Sequence, residues 1–505
     1  MTAFTENGAS SLKMKELPES PEDDTESNEI TPKQKKPPIE WKCIAIATFI
    51  AFLCSVETSV SGQGEYAYMR TIDHSTTSSF FGDVTAVVKV GNALSMILFA
   101  IWSHFRRSIK YPLLIGRVIS IAACILYLLV ELFPSGRKYV LLACYFLFGI
   151  GSSSALLLRT YIVEKSTVAE RTRAIGLFAI AAILGLIVGP LCQLAFSSIR
   201  YPGYTIAKGI YFHMFSATVW VALAINLISI LVICCFFRDL PERPKKKRLP
   251  GEEKVPPTVF SARSPKSSLK SVVVFIRSAP FSWPLVLMII FQRVVASNVT
   301  ATLGAVSGPV LMVVFDLNAS MSTIVGAVAQ GVGGLAALIF CGMFVVLKLG
   351  DRVGNRVLYI FACVATFVMY VVSFPWPFLG HPMHEFNRTT LAGCSPLEYS
   401  WCDRMTTTSV WAFLPVVAIV VGLGSPAAVI ALDSMYSKVL GDINQTFMQG
   451  VFVAADDVFL IVTPIYASAL FKANGMFTLW IVNAAIVLVG LAVWLLFFRR
   501  LRPYR

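Results

Sequence analysis

Residues 139–196 read YVLLACYFLFGIGSSSALLLRTYIVEKSTVAERTRAIGLFAIAAILGLIVGPLCQLAF. Two apolar runs flank a segment that collects Arg159, Glu164, Lys165, Glu170, Arg171 and Arg173. A helix of about 20 mostly apolar residues crosses a bilayer, and each run is long enough to do so. The charged segment therefore reads as the end of one span, a turn and the start of the next. Its Lys and Arg residues mark the side of the membrane on which the turn lies.

The same length rule divides the rest of the chain. Twelve spans are predicted, at 43–62, 83–104, 111–133, 139–163, 174–197, 212–237, 280–304, 322–347, 356–379, 408–432, 448–471 and 476–498. Their apolar residues cover all faces, as buried helices require. Composition agrees. The chain is 56% hydrophobic and 14% charged, where a soluble protein carries about a quarter charged residues. The expected fold is an all-α membrane protein.

Charge placement orients it. With both termini on the cytosolic side, and Arg356 at the very start of the ninth span counted with its loop, 31 of the 43 Lys and Arg residues fall in cytosolic tails and loops, 8 in the opposite loops and 4 within spans. This asymmetry accounts for the net charge of +14, so lipid headgroups are the expected partners and nucleic acid is not. The first 38 residues have no apolar core. No cleavable signal is expected there, and their Glu, Ser and Pro content predicts a disordered tail. The longest internal polar segment, RDLPERPKKKRLPGEEKVPPTVFSARSPKSSLK (238–270), is a Pro- and Lys-rich linker. The resulting division is a tail at 1–40, six spans at 41–237, a basic linker at 238–278, six spans at 279–498 and a short cytosolic tail at 499–505.

The largest non-cytosolic loop, 381–408, carries an Asn-x-Thr acceptor at Asn387 and two cysteines, Cys394 and Cys402. An oxidising lumen favours a disulfide between them. Asn318, in NAS, is a second acceptor on that side, whereas Asn298 and Asn444 are not expected to be glycosylated. The remaining cysteines lie mostly in apolar runs and read as small hydrophobes. No metal or cofactor is expected, because no ligand spacing of the zinc type is present. No nucleophile–base constellation points to an enzyme.

Three motifs add a resemblance. Asp351-Arg352-x-Gly354-Asn355-Arg356 follows span eight. Gly185-x-x-x-Gly189-Pro190 lies in span five, where small residues permit close helix approach and Pro190 bends the helix. AERTRAIG joins spans four and five. Together with twelve spans arranged six plus six around a basic linker, they resemble the major facilitator superfamily. Further stretches, FLFGIGSSSALLLRTYIVEKSTVAERTRAIG, MYSKVLG and GCSPLEYSWC, are similar to its lysosomal branch. The first-half loop AIWSHFRRSIK lacks the Asp and Gly of the second-half motif. No acidic dileucine signal stands near the N-terminus.

The resemblance implies a monomeric endolysosomal glycoprotein with spans one, four, seven and ten around a central cavity. Ionisable residues within spans are costly and mark function by default. Glu57, Arg159 and Arg293 fall on spans one, four and seven and are the expected solute or ion path. Two readings stay open for Glu57, a proton-coupling carboxylate or the partner of Arg293, and two for Arg159, a headgroup anchor or the lip of the path. Lys89, Asp456, Asp457, Asp351 and Arg352 are assigned to coupling or gating, with one of the two adjacent aspartates meeting a basic partner such as Lys89. The expected function is alternating-access transport of a small anion, with protons as the coupling ion. The alternatives are a chloride channel on the same scaffold and a non-transporting membrane scaffold or receptor.

Overall fold

The computed structural model describes residues 41–504 except 61, 63, 107, 167–170, 208, 240–280, 347–352, 379, 388–389 and 442–445. Asp351 and Arg352, Asn444 and most of the linker lie outside the described residues.

Among the described residues, eleven helices are long and apolar enough to cross a membrane. Spans 1 to 6 are Trp41–Val60, Ser78–Ser103, Lys110–Leu132, Arg137–Ile162, Ala174–Ala195 and Met214–Cys235. Spans 7 to 10 are Trp283–Val314, Ala319–Phe344, Asn355–Val372 and Val410–Leu440. The last helix, Val451–Phe497, is two crossings. Gly475 interrupts it with φ 61° and ψ −152°, a conformation that a side chain resists. Spans 11 and 12 thus meet at Gly475, and the total of twelve crossings agrees with the sequence reading.

The crossings define two faces. Trp41 begins on what is called here the terminus face, and the disulfide loop 381–408 lies on the opposite, disulfide face. Two short ribbons also occur on the latter. Tyr204–Ala207 pairs antiparallel with Ile210–Phe212 between spans 5 and 6, and His381–Pro382 pairs with Thr406–Thr407.

Among the described residues there are two large apolar cores, besides a small cluster of Leu53, Val56 and Ile225. One gathers residues from Val60 to Ala222, with Met312 joining from span 7. The other runs from Leu285 to Leu501. Each six-helix half therefore buries its own apolar surface, which allows the halves to move as bodies. Span 5 shows how closely neighbours pack. Gly185 and Gly189 lie against Ser55 and Ser59 of span 1 with no room for a Cβ. Ser55 Oγ donates to the Ala182 carbonyl at 2.7 Å and Ser59 Oγ to the Gly185 carbonyl at 2.9 Å. In the absence of water such bonds hold helices together where apolar burial cannot.

Three spans depart from regular α-helix. Span 4 breaks between Ser153 and Leu156, within the GSSSA sequence. Span 7 ends in a π turn at Val310–Val314, and span 10 carries another at Val420–Gly424. Irregular turns of this kind re-aim side chains and concentrate at functional sites.

Candidate functional site

A cavity of about 530 Å³ lies between the halves. Spans 1, 2, 4, 5, 6, 7, 8 and 11 supply its wall, together with Glu65 of the short helix Glu65–Ile72. Span 10, expected in that wall, does not reach it. Its Phe413, Val417 and Val421 line an adjoining pocket of about 230 Å³ with spans 7 and 8.

The cavity is shut on the disulfide face. Arg70 Nη2 lies 2.9 Å from Glu398 Oε2, so a helix of the first half is tied to a loop of the second. Arg70 Nη1 also donates to the Tyr66 hydroxyl at 2.9 Å, and its guanidinium sits 5.3 Å from the centre of the Phe386 ring. Glu398 stands inside the loop closed by the Cys394–Cys402 disulfide. That loop is seated on its own half, where Gly393 N donates to the Met312 carbonyl and Trp401 Nε1 to the Lys472 carbonyl. Beneath this clasp Gly82 of span 2 meets Pro464 and Ser468 of span 11 with no space for a side chain.

Two charged clusters flank the cavity. In the first half, Glu57 pairs with Arg117 of span 3, and both are fully buried. Asn226 of span 6 bridges them. Its Nδ2 donates to Glu57 Oε1 at 2.8 Å, and its Oδ1 accepts from Arg117 at 3.2 Å. Arg117 Nη2 donates to the Gly151 carbonyl at 2.7 Å and to Ser154 Oγ at 3.3 Å. The break in span 4 takes that carbonyl out of the regular helical ladder, and Ser154 N and Oγ donate to it beside the guanidinium.

In the second half, Arg293 Nε donates to Asp456 Oδ2 at 3.0 Å, and Nη1 lies 3.4 Å from Asp433 Oδ1. Asp433 is 48% exposed, and Arg159, whose charge acts on Asp433, is exposed as well. Charges exposed within a bundle face water rather than lipid, so this cluster opens toward the terminus face. Asp456 is buried, and its Oδ1 accepts no hydrogen bond among the described residues.

Sequence reasoning left Glu57 open between proton coupling and pairing with Arg293. The two residues do not meet; Arg117 and Asp433, which it did not single out, pair with them instead. Arg117 lay in a predicted span and was left unassigned, and Asp433 fell one residue outside the predicted end of span 10. Lys89 lines the cavity, and its charge acts on Asp457 and Glu65 without an ion pair to either. Glu65 was missed because Gly62 and Gly64 made its segment look like loop. Burial pushes its carboxyl from an ordinary 4.5 up to about 8, although Lys89 pulls the other way.

The remaining expected sites are placed as follows. Asn387 is exposed in the disulfide loop. Asn318 Oδ1 accepts from Met321 N at 2.9 Å and caps span 8. Asn298 is buried against Asn483, Thr463 and Tyr466. Among the described residues no His, Cys, Asp or Glu group has the arrangement of a metal site.

Residues 36–384 match the sequence model of the Major Facilitator Superfamily. The chain belongs to the major facilitator superfamily. Among curated major facilitator proteins, it is 22% identical over 508 residues to "Major facilitator superfamily domain-containing protein 8" of Xenopus laevis. That match covers 95% of this chain and 96% of the relative. The relative is the animal protein whose branch the sequence resembles. Solved structures of the superfamily share the fold. A D-xylose–proton symporter superposes with a TM-score of 0.60 at 14% identity, covering 90% of this chain and 97% of its own. The E. coli xylose transporter XylE in an inward open conformation gives 0.57 at 15%, covering 90% and 95%. The nucleoside transporter NupG gives 0.57 at 12%, covering 90% and 99%. As a major facilitator protein, the chain is a multi-pass membrane transporter.

Proposed function

We propose that the chain carries a small anion across an endolysosomal membrane by alternating access, with a proton as the coupling ion. The observation that carries this reading is the cavity between two separately packed halves, shut by the Arg70–Glu398 clasp on one face. The charge asymmetry puts the terminus face in the cytosol, and the disulfide and Asn387 then belong to the lumen. The site described is accordingly that of a carrier facing the cytosol.

The anion reading rests on Lys89. Arg293, on which the sequence suggested it might rest, is already matched by Asp433 and Asp456. The coupling reading rests on that same cluster, where two carboxylates share one guanidinium and one oxygen is buried without a partner. The test is solute uptake into proteoliposomes with and without an imposed pH gradient. Saturable uptake driven by the gradient is the expected result. Non-saturating flux that follows the electrical gradient alone, at any pH, overturns the carrier reading in favour of a channel.

A further inference from the structure

We infer that the solute of the central cavity is a hydroxylated organic monoanion of about monosaccharide size, with its acid group at Lys89 and its hydroxyl groups against the surrounding wall. The inference rests on the transport reading above and gives it a substrate class.

Volume is the first argument. At about 530 Å³ the cavity falls within the range of small-molecule pockets. A bare halide would leave nearly all of it to water.

Charge is the second. An unpaired ammonium group inside a membrane protein is costly. Among the described residues the ion pairs involve Arg70, Arg117, His213 and Arg293, and Lys89 forms none. The other charges near it do not cancel it by contact. Glu57 reaches the cavity wall but is matched by Arg117. Asp457 acts from span 11 without lining the cavity. Glu65, held up to about 8, is a neutral acid at pH 7 and below. The wall therefore presents one uncompensated positive charge.

Hydrogen-bonding polarity is the third and separates the candidate anions. Thr58, Thr85, Ser152 and Thr300 line the cavity. Each donates its hydroxyl hydrogen to a carbonyl of its own helix, at 3.0 to 3.1 Å. What these four side chains turn to a ligand is their acceptor lone pairs, while Tyr145, Ser307 and Gln330 on the same wall carry hydroxyl and amide donors as well, a mixture that a hydroxyl group, donor and acceptor at once, can meet. Acceptors repel chloride, sulfate or phosphate oxygens and match the O–H donors of a polyol. A solute satisfied by such a wall has many hydroxyl donors and a single anionic group for Lys89.

The test compares three ligands on the solubilised full-length protein. Glucuronate has both features, glucose has the hydroxyls without the charge, and chloride has the charge without the hydroxyls. The readout is the ligand-induced rise in unfolding temperature, followed by flux of the same ligands in proteoliposomes. Glucuronate is expected to stabilise the protein at concentrations about tenfold below glucose, with chloride inert as a competitor. Lys89→Gln is expected to bring glucuronate down to the level of glucose, and Lys89→Arg to retain the preference. The comparison on the unaltered chain stands even if a variant fails to fold. Equal stabilisation by glucose and glucuronate, or displacement of glucuronate by chloride at equal concentration, overturns the substrate class. Saturable flux of another solute, with glucuronate neither binding nor competing, does the same while leaving the carrier intact. Binding of glucuronate with no flux of any ligand leaves the site but removes the transport reading on which the inference stands.

Discussion

The two halves of the molecule treat buried charge in opposite ways. In the first, Glu57 and Arg117 are matched one to one, buried and wrapped by Asn226, Ser154 and the Gly151 carbonyl, with Arg117 Nε the atom left without a partner among the described residues. In the second, Arg293 faces two carboxylates, one of them half exposed, and a buried carboxylate oxygen is left without a partner. The first arrangement has little to gain from changing its protonation or its partners. The second has an excess of acid, a route to water and an alternative cation in Arg159. The pair at Glu57 is thus a fastening that holds spans 1, 3, 4 and 6 together, and the Arg293 cluster is the one suited to exchange a proton.

The largest expected effect tests the fastening. Arg117→Met leaves Glu57 buried without a counter-charge, which costs about 3–5 kcal/mol when one member of a buried pair is removed. Loss of folded protein, followed by fluorescence-detected size exclusion and thermal unfolding in detergent, is the expected outcome. The double replacement Glu57→Gln with Arg117→Met should recover much of the loss. If Arg117→Met unfolds like the unaltered chain, the contrast between the two clusters is mistaken.

The clasp comes next. Glu398→Gln weakens the tie to Arg70 while leaving the disulfide in place, and the cost is about 1–2 kcal/mol for a partly shielded charged hydrogen bond. Because the clasp exists only with the disulfide face shut, the loss should appear as a shift toward the opposite state rather than as unfolding. A cysteine at Thr300, which lines the cavity, should react with a membrane-impermeant maleimide faster from the disulfide face in the Glu398→Gln background. Unchanged reactivity there would show that the glycine contact at Gly82 closes the cavity by itself.

How far the sequence reached follows from what each kind of signal encodes. The spans were legible because hydrocarbon thickness sets their length and every backbone group must be paired within them. Gly185 and Gly189 were legible as a packing stripe because small residues at that spacing share one helix face. The partners of the charges were not. Hydropathy says that Glu57 and Arg293 are inside the membrane, but not which way each points once twelve helices have packed. Spans 1 and 3 meet around span 6 through Asn226, a neutral residue that no charge count weighs. Asp433 was hidden by an end effect. Span 10 runs on to Leu440, so an aspartate read as the first residue of a cytosolic loop lies inside the helix, within reach of Arg293.

A smaller effect separates coupling from structure in the second cluster. Asp456→Asn keeps the bond to Arg293 and removes one of the two carboxylates. Thermal stability should change by under about 1 kcal/mol, since one oxygen of Asp456 already lacks a partner. Uptake in proteoliposomes should lose most of its dependence on the pH gradient, while exchange at equal pH continues. Gradient-driven uptake that persists unchanged in Asp456→Asn moves the coupling site to Asp433 or Asp457.

The smallest effect concerns Glu65, and its sign follows from the protonation states. Its carboxyl titrates near 8 in the folded protein and at an ordinary 4.5 when exposed. The folded state holds the proton more tightly, so this group's contribution to stability declines as pH rises between those values. The same ionisation changes the cavity. Below about 8 the carboxyl is neutral and Lys89 stands uncompensated; above it a carboxylate shares the wall and the local charge cancels. Binding of an anion should therefore weaken as pH rises through about 8, and binding of a neutral polyol should not. Glu65→Gln fixes the neutral form, so the anion's affinity in that variant should stay level where that of the unaltered chain falls. Because Glu65 lies in the helix that carries Arg70, the measurement must be of equilibrium binding rather than flux. A pH profile of anion binding that is identical in the two proteins would place the relevant ionisation elsewhere, at Lys89 itself or at Asp457 across the interface.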